Sequence, residues 1–260
     1  MVSVKIVEGK REIKLYGAAF FVNVTMNRIS MRKKYISRFL FRCIAFAAVF
    51  VLSATRPEIF SVCEGNGFFR ELTLLHVLWV IWMCDMFIQL VPSDRLVSVG
   101  SQKNFTKHYV EREEEKSRLR EFVKRENKSA GIILLIWIGG IIGTSILKGQ
   151  GIIETRHVVV MMTFFYLSDL ICVLFWCPFR VFIMKNRCCI TCRIFNWDHM
   201  MMFFPGICCV GFFSWSLCLM AVAVFVIWEI TFAKHPERFY DGTNCALTCA
   251  NCKEHLCGKK

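Results

Sequence analysis

Five stretches of this chain are too long and too continuously apolar to be faces of ordinary surface helices. A helix needs about 20 apolar residues to cross a hydrocarbon core of about 30 Å. Segments near that length run over Ile36–Thr55, Leu72–Val91, Ala130–Leu147 and Val158–Cys177, and a fifth, Met200–Thr231, exceeds what one crossing requires. In lipid every backbone polar group must be satisfied within its own segment, so such runs fold as helices. The expected fold class is all-α: a polytopic integral membrane helix bundle of five apolar segments, the last either one helix or a broken hairpin. The 55% hydrophobic content and mean hydropathy of +0.46 lie above the range of soluble domains.

The net charge of +13 would suit a nucleic-acid partner if it gathered on one folded surface. It is instead sorted between alternate connections. Residues 1–37 carry eight Lys/Arg and 92–129 carry ten, whereas 55–70 and 148–157 carry two each and 179–199 carries four. Cytoplasmic connections collect such residues. The pattern therefore predicts a cell-membrane protein with a cytoplasmic N-terminus, a lipid bilayer as its surroundings and no nucleic acid.

Three regions follow: a basic N-terminal segment, 1–35; a transmembrane domain, 36–232, containing the cytoplasmic loop 92–129; and a cysteine-rich tail, 233–260. No cleavable signal peptide is expected, because the first residues are mixed and charged. "VSVKIVEGKREIKLYG" alternates like a small hairpin around Gly9. Within the loop, "YVEREEEKSRLREFVKREN" pairs Glu114 with Arg118 and Glu121 with Arg125, the favourable order for a solvated helix running into the third span. That span holds Gly139 and Gly143, a small-xxx-small pair of the kind that lets two helices approach closely, within the chain, in a homo-oligomer or against a membrane partner.

Two acids interrupt the spans: Asp85, which shares a helix face with Gln89, and Asp169, which shares one with Cys172. An acid at mid-membrane costs about 2.5–3.5 kcal/mol on insertion scales, so each needs a partner or a wet cavity. They read either as an ion or proton site or as structural interhelix hydrogen bonds. Each has a proline seven or nine residues later, a faint echo of duplication. His76, opposite Asp85, reads as a packed histidine.

The chain has 15 cysteines. Seven fall in apolar spans (Cys43, Cys84, Cys172, Cys177, Cys208, Cys209, Cys218), where a thiol acts as a small hydrophobe. Cys63 stands in an outer connection. The others form two clusters, Cys188, Cys189 and Cys192 before the last apolar run and Cys245, Cys249, Cys252 and Cys257 after it. Two intervening residues give the backbone enough turn to aim two thiolates at one ion, as zinc knuckles and iron–sulfur sites require. Cys189-x2-Cys192 and Cys249-x2-Cys252 are such knuckles. Cys188, Cys245 and Cys257 serve as alternates, and His199, His235 and His255 as weaker substitutes. The tail also satisfies the C-x3-C-x2-C spacing of radical-SAM enzymes, but no soluble stretch could build their barrel. The remaining reading is a set of reduced thiols or tail disulfides.

Five plain crossings would put the two clusters on opposite faces of the membrane. A break at Pro205-Gly206, with a turn around "FFSWS", would bring the tail back to the cytoplasm.

"CPFRVFIMKNRCCITCRIFNWDHMMMF" and "WEITFAKHPERF", followed by the cysteine-rich end, resemble a group of uncharacterised bacterial multi-pass membrane proteins, and "LVSVGSQKNF" fits the same likeness. The resemblance covers residues from about 36 to the end. It implies an architecture and no catalytic residues. Within "NWD", Trp197 suits an interface anchor and Asp198 a helix N-cap; the motif as a whole has no explanation at this level.

Two functions stand beside each other. In one, Cys189, Cys192, Cys249 and Cys252 hold zinc or an iron–sulfur cluster, and the protein is structural or passes electrons. In the other, Asp85 and Asp169 line the path of a small transporter or channel component, with the cysteines structural. No nucleophile elbow, Walker A loop or HExxH motif supports a hydrolase or transferase.

Overall fold

The computed structural model describes residues 17–92, 98 and 100–252, with side chains from residue 33 onward. The alternating stretch around Gly9 and the thiol of Cys257 lie outside them. Six α-helices follow in order: α1 Gly17–Thr55, α2 Leu74–Gln89, α3 Lys116–Gly149, α4 Thr155–Leu174, α5 Asp198–Phe203 and α6 Phe212–Lys234. Among the described residues, four helices are long and apolar enough to cross a membrane: the Lys33–Thr55 part of α1, then α3, α4 and α6. The second apolar run makes a shorter helix. At 16 residues, α2 rises about 24 Å, less than a hydrocarbon core.

The helix starts are set locally. At α2, the Thr73 N–H donates to His76 Nδ1 at 3.0 Å, while His76 Nε2 donates to the Phe68 carbonyl at 2.8 Å. The same device opens α4, where the Glu154 N–H donates to His157 Nδ1 at 3.0 Å. Each helix thus satisfies an orphan group with a histidine three residues in, and each later carries one of the two acids, Asp85 and Asp169. The echo between α2 and α4 extends to their caps.

One end of the bundle is closed around Glu64. Lys148 Nζ donates to Glu64 at 2.7 Å and to Thr155 Oγ1 at 2.7 Å, and Thr155 in turn donates to Glu64. The Lys148 hydrogen bond, joined by that of Thr155, holds the Glu64 carboxyl below its ordinary range. The break in the last apolar run also reaches this end. Pro205 lacks the N–H to continue α5, and the chain tightens to a 3₁₀ turn over Phe204–Cys208. It then reverses at Gly211, where it bridges to Gly65, with the Gly65 N–H donating to the Val210 carbonyl at 2.7 Å. A Cβ at Gly211 would lie 2.5 Å from the Cys63 carbonyl oxygen, so only glycine permits this approach.

The last run is therefore a pair of unequal limbs, not one helix. Its turn lies just before "FFSWS", which forms the first turn of α6. The α6 limb is 23 residues, about 34 Å. It carries the tail back to the end where residues 100–112 lie. There the Arg112 N–H donates to the Thr243 carbonyl at 2.9 Å and the Cys245 N–H to the Val110 carbonyl at 2.8 Å. Arg238 reaches the Asn104 carbonyl at 3.2 Å.

Two apolar cores result. One packs Leu78, Trp82, Met162, Phe203, Phe213 and Leu217 between α2, α4, α5 and α6. The other packs Phe122, Ile133, Trp197, Trp228 and Phe239 near the tail. The outer faces remain apolar, as in Ile44, Leu135 and Leu219. On α3 a Cβ added at Gly139 or Gly143 would meet nothing within 4 Å, so among the described residues that pair packs against no helix.

Candidate functional site

Asp85 and Asp169 meet through an arginine. Arg42 lies on α1, in "RFLFRC", and its side chain is almost sealed. Its Nη1 donates to Asp169 Oδ2 on α4 at 2.6 Å and to the Tyr166 carbonyl at 2.6 Å. Its Nη2 lies 3.6 Å from Asp85 Oδ2 on α2, and the guanidinium stacks over the Tyr166 ring at 3.9 Å. His199 on α5 closes the cluster: Nε2 lies 3.6 Å from Asp85 Oδ2, and Nδ1 lies 3.1 Å from Asp198 Oδ1. Arg38, one turn before Arg42, adds positive charge near Asp85.

Three carboxylates thus face two arginines and one histidine, and the set is neutral when His199 carries a second proton. Exposure is uneven. The side chains of Arg42 and His199 are 8% and 2% exposed, those of Asp85 and Asp169 31% and 21%. The centre is sealed and the acids form its accessible rim. Gln89, on the Asp85 face, has a buried Oε1 with no hydrogen-bond partner among the described residues.

A second polar network lies towards the tail. Arg193 pairs with Glu229 of α6 through two bonds of 3.0 and 2.6 Å, and Trp197 Nε1 donates to the same carboxylate at 2.8 Å. Ser101 donates to Asn196 Oδ1 at 2.8 Å. "NWD" is thereby explained: Asn196 ties down the 100–112 segment, Trp197 reads Glu229, and Asp198 holds His199. Asp198 accepts from His199 instead of capping the backbone of α5. Lys103 is buried against the Phe195, Trp228 and Phe239 rings and donates to the Cys192 carbonyl at 3.0 Å. Burial pushes its ammonium down to about 8, against the pull of the nearby Cys192 and Glu126.

Both cysteine knuckles form tight turns, with the Cys192 N–H donating to the Cys189 carbonyl at 2.9 Å and the Cys252 N–H to the Cys249 carbonyl at 3.4 Å. The two lie at the same end of the bundle. They do not converge: among the described residues no three His, Cys, Asp or Glu side chains form a group able to hold a metal ion. Cys189 donates to the Cys172 carbonyl at 3.5 Å, Cys192 is buried in the second core and Cys249 is exposed. His235 pairs with Glu237 at 3.1 Å, away from the thiols.

A cleft of about 440 Å³ opens between α3, α4, α5 and the 176–195 segment. Its wall includes the rings of Trp137, Phe165, Trp176 and Phe179, and Asp169 and Asp198 reach it from the charge cluster.

Arg42 and Glu229 belong to these networks although hydropathy did not single them out; each is a charge inside an apolar run, in "FRCIAF" and "VIWEITF". No family model, no curated protein and no solved structure matches this chain.

Proposed function

We propose that this is a multi-pass membrane protein that handles protons, with Arg42, Asp85, Asp169 and His199 as its working parts. One observation carries the reading: acids from two apolar helices meet one sealed arginine, and a histidine from a third element faces one of those acids. Ionisable groups at such depth mark ion or proton paths by default. The charge balance of the set turns on the His199 proton, and the two acids from the apolar helices form its accessible rim.

Charge sorting supports an orientation in the cell membrane. The N-terminal segment and loop 92–129 are basic, and the tail adds Lys234, Arg238, Lys253, Lys259 and Lys260. All would face the cytoplasm. A thiolate zinc or iron–sulfur site is confined on this reading to the tail, with Cys257 completing Cys245, Cys249 and Cys252.

The test is proton flux into liposomes holding the purified full chain and an entrapped pH-sensitive dye. Wild type should dissipate an imposed pH gradient faster than empty vesicles, and Asp169→Asn or His199→Phe should slow it at least tenfold. Flux equal to empty vesicles, or unchanged in both variants, overturns the reading.

A further inference from the structure

A separate pair of groups sits beside the charge cluster. α4 ends at Leu174, and the chain turns before the π-helical turn Phe179–Ile183. That turn brings Cys177 back to the cleft wall that Cys172 also lines, close enough for the two thiols to interact. The Arg180 N–H donates to Cys177 Sγ at 3.4 Å. An N–H donor aimed at its sulfur makes Cys177 the attacking thiol of the two. Both cysteines line the cleft of about 440 Å³.

We propose that Cys172 and Cys177 are a redox-active dithiol whose oxidant is a lipid-soluble quinone seated in this cleft. The reasons are on the cleft's walls. Its volume suits a small ring compound, and its lining rings offer stacking faces to a planar one. Trp176 and Phe164, at 50% and 47% exposed, place its mouth on the apolar outer surface of the bundle, where a ligand dissolved in lipid would arrive. Arg180, on the same wall, has a buried Nε without a hydrogen-bond partner among the described residues, a donor suited to a ring carbonyl.

The chemistry balances within this set. The Cys177 thiolate adds to the quinone ring, forming a C–S bond. Cys172 sulfur then attacks Cys177 sulfur, the S–S bond forms, and the C–S electron pair stays on the ring. The dithiol loses two electrons and two protons. The quinone gains both, one proton from the Cys172 thiol and one from the medium, where Cys177 had released its own, and leaves as hydroquinone.

This inference does not depend on proton handling, although Asp169 borders the same cleft. The full chain, reduced and held anaerobically in detergent, would be mixed with a short-tailed, fully ring-substituted benzoquinone. Hydroquinone is read by absorbance, free thiols by maleimide mass tagging, and the linkage by peptide mapping. One hydroquinone should form per chain, two thiols should be lost, and the disulfide should lie within the 172–177 peptide. Cys177→Ser should abolish the reaction, and Cys172→Ser should stop at a quinone adduct on Cys177. Folded wild type that yields no hydroquinone, or thiol loss mapping to other cysteines, overturns the proposal.

Discussion

Replacing Arg42 with methionine would remove a side chain that faces both Asp85 and Asp169. The change deletes a hydrogen-bonded charge pair with Asp169 at 2.6 Å, a donor to the Tyr166 carbonyl at 2.6 Å and a stacking contact over the Tyr166 ring at 3.9 Å. Removing one partner of a buried pair costs about 3–5 kcal/mol, because the other charge is left without compensation. Asp169 is partly exposed and can take up a proton, which discounts that figure. The lost carbonyl bond restores about 1 kcal/mol to it. A net cost of about 4 kcal/mol is expected. Asp169→Asn alone should cost less, since an amide oxygen still accepts from Arg42. Added to Arg42→Met, it removes the stranded charge and should recover about 2 kcal/mol, a coupling that a double-mutant cycle isolates. The assay is unfolding of the full chain in mixed micelles with increasing SDS, followed by tryptophan fluorescence, with Trp82 reporting from beside Tyr166. A cost below about 1 kcal/mol for Arg42→Met, or strict additivity with Asp169→Asn, would refute the bridging argument.

The second network gives a parallel expectation. Glu229→Gln should cost about 2 kcal/mol in the same assay, because Arg193 and Trp197 both donate to that carboxylate. Gly211→Ala should cost about 1–3 kcal/mol through its collision with the Cys63 carbonyl. Gly139→Ala, whose Cβ meets nothing, should stay within about 0.5 kcal/mol. Lys103 is held at about 8 when folded against 10.5 as its ordinary value. Between those pH values the unfolded chain binds the extra proton, so this group makes stability rise with pH. Comparing unfolding free energies near about pH 7.5 and about pH 9.5 should show that rise in wild type and lose it in Lys103→Met. Metal per chain after anaerobic purification separates the cysteine clusters: a tail-held ion is lost in Cys249→Ser and kept in Cys189→Ser, and loss in both would join the knuckles.

The apolar runs made the helices legible, because hydropathy is a local property and lipid leaves the backbone few alternatives. Asp85 and Asp169 were legible for the same reason, as residues too costly to be idle. Arg42 was hidden by position: it follows the basic "RKKYISR" and reads as a flanking charge until the helix is seen to carry it inward. The pairing of Asp85 with His199 joins residues more than a hundred positions apart, and no periodicity reports such a contact. Pro205-Gly206 marked the break in the last run. Where the chain turned depended on Gly65, in a distant connection. The cysteine spacings predicted tight turns, which form, but spacing does not say which way a turn faces.

The tail's bonds to the 100–112 segment bear on the order in which the protein is made. Loop residues such as Val110 and Lys103 leave the ribosome long before Asn244 or Phe239, yet their final partners lie there. Until α6 has been threaded and the tail has come back, Lys103 has no aromatic enclosure and Asn104 lacks its Arg238 donor. A chain released early would keep its apolar helices while leaving this end open, with a buried-type lysine and a face of rings in water. Closure of this end therefore waits for α6 and for residues 235–245, however early the rest of the bundle forms.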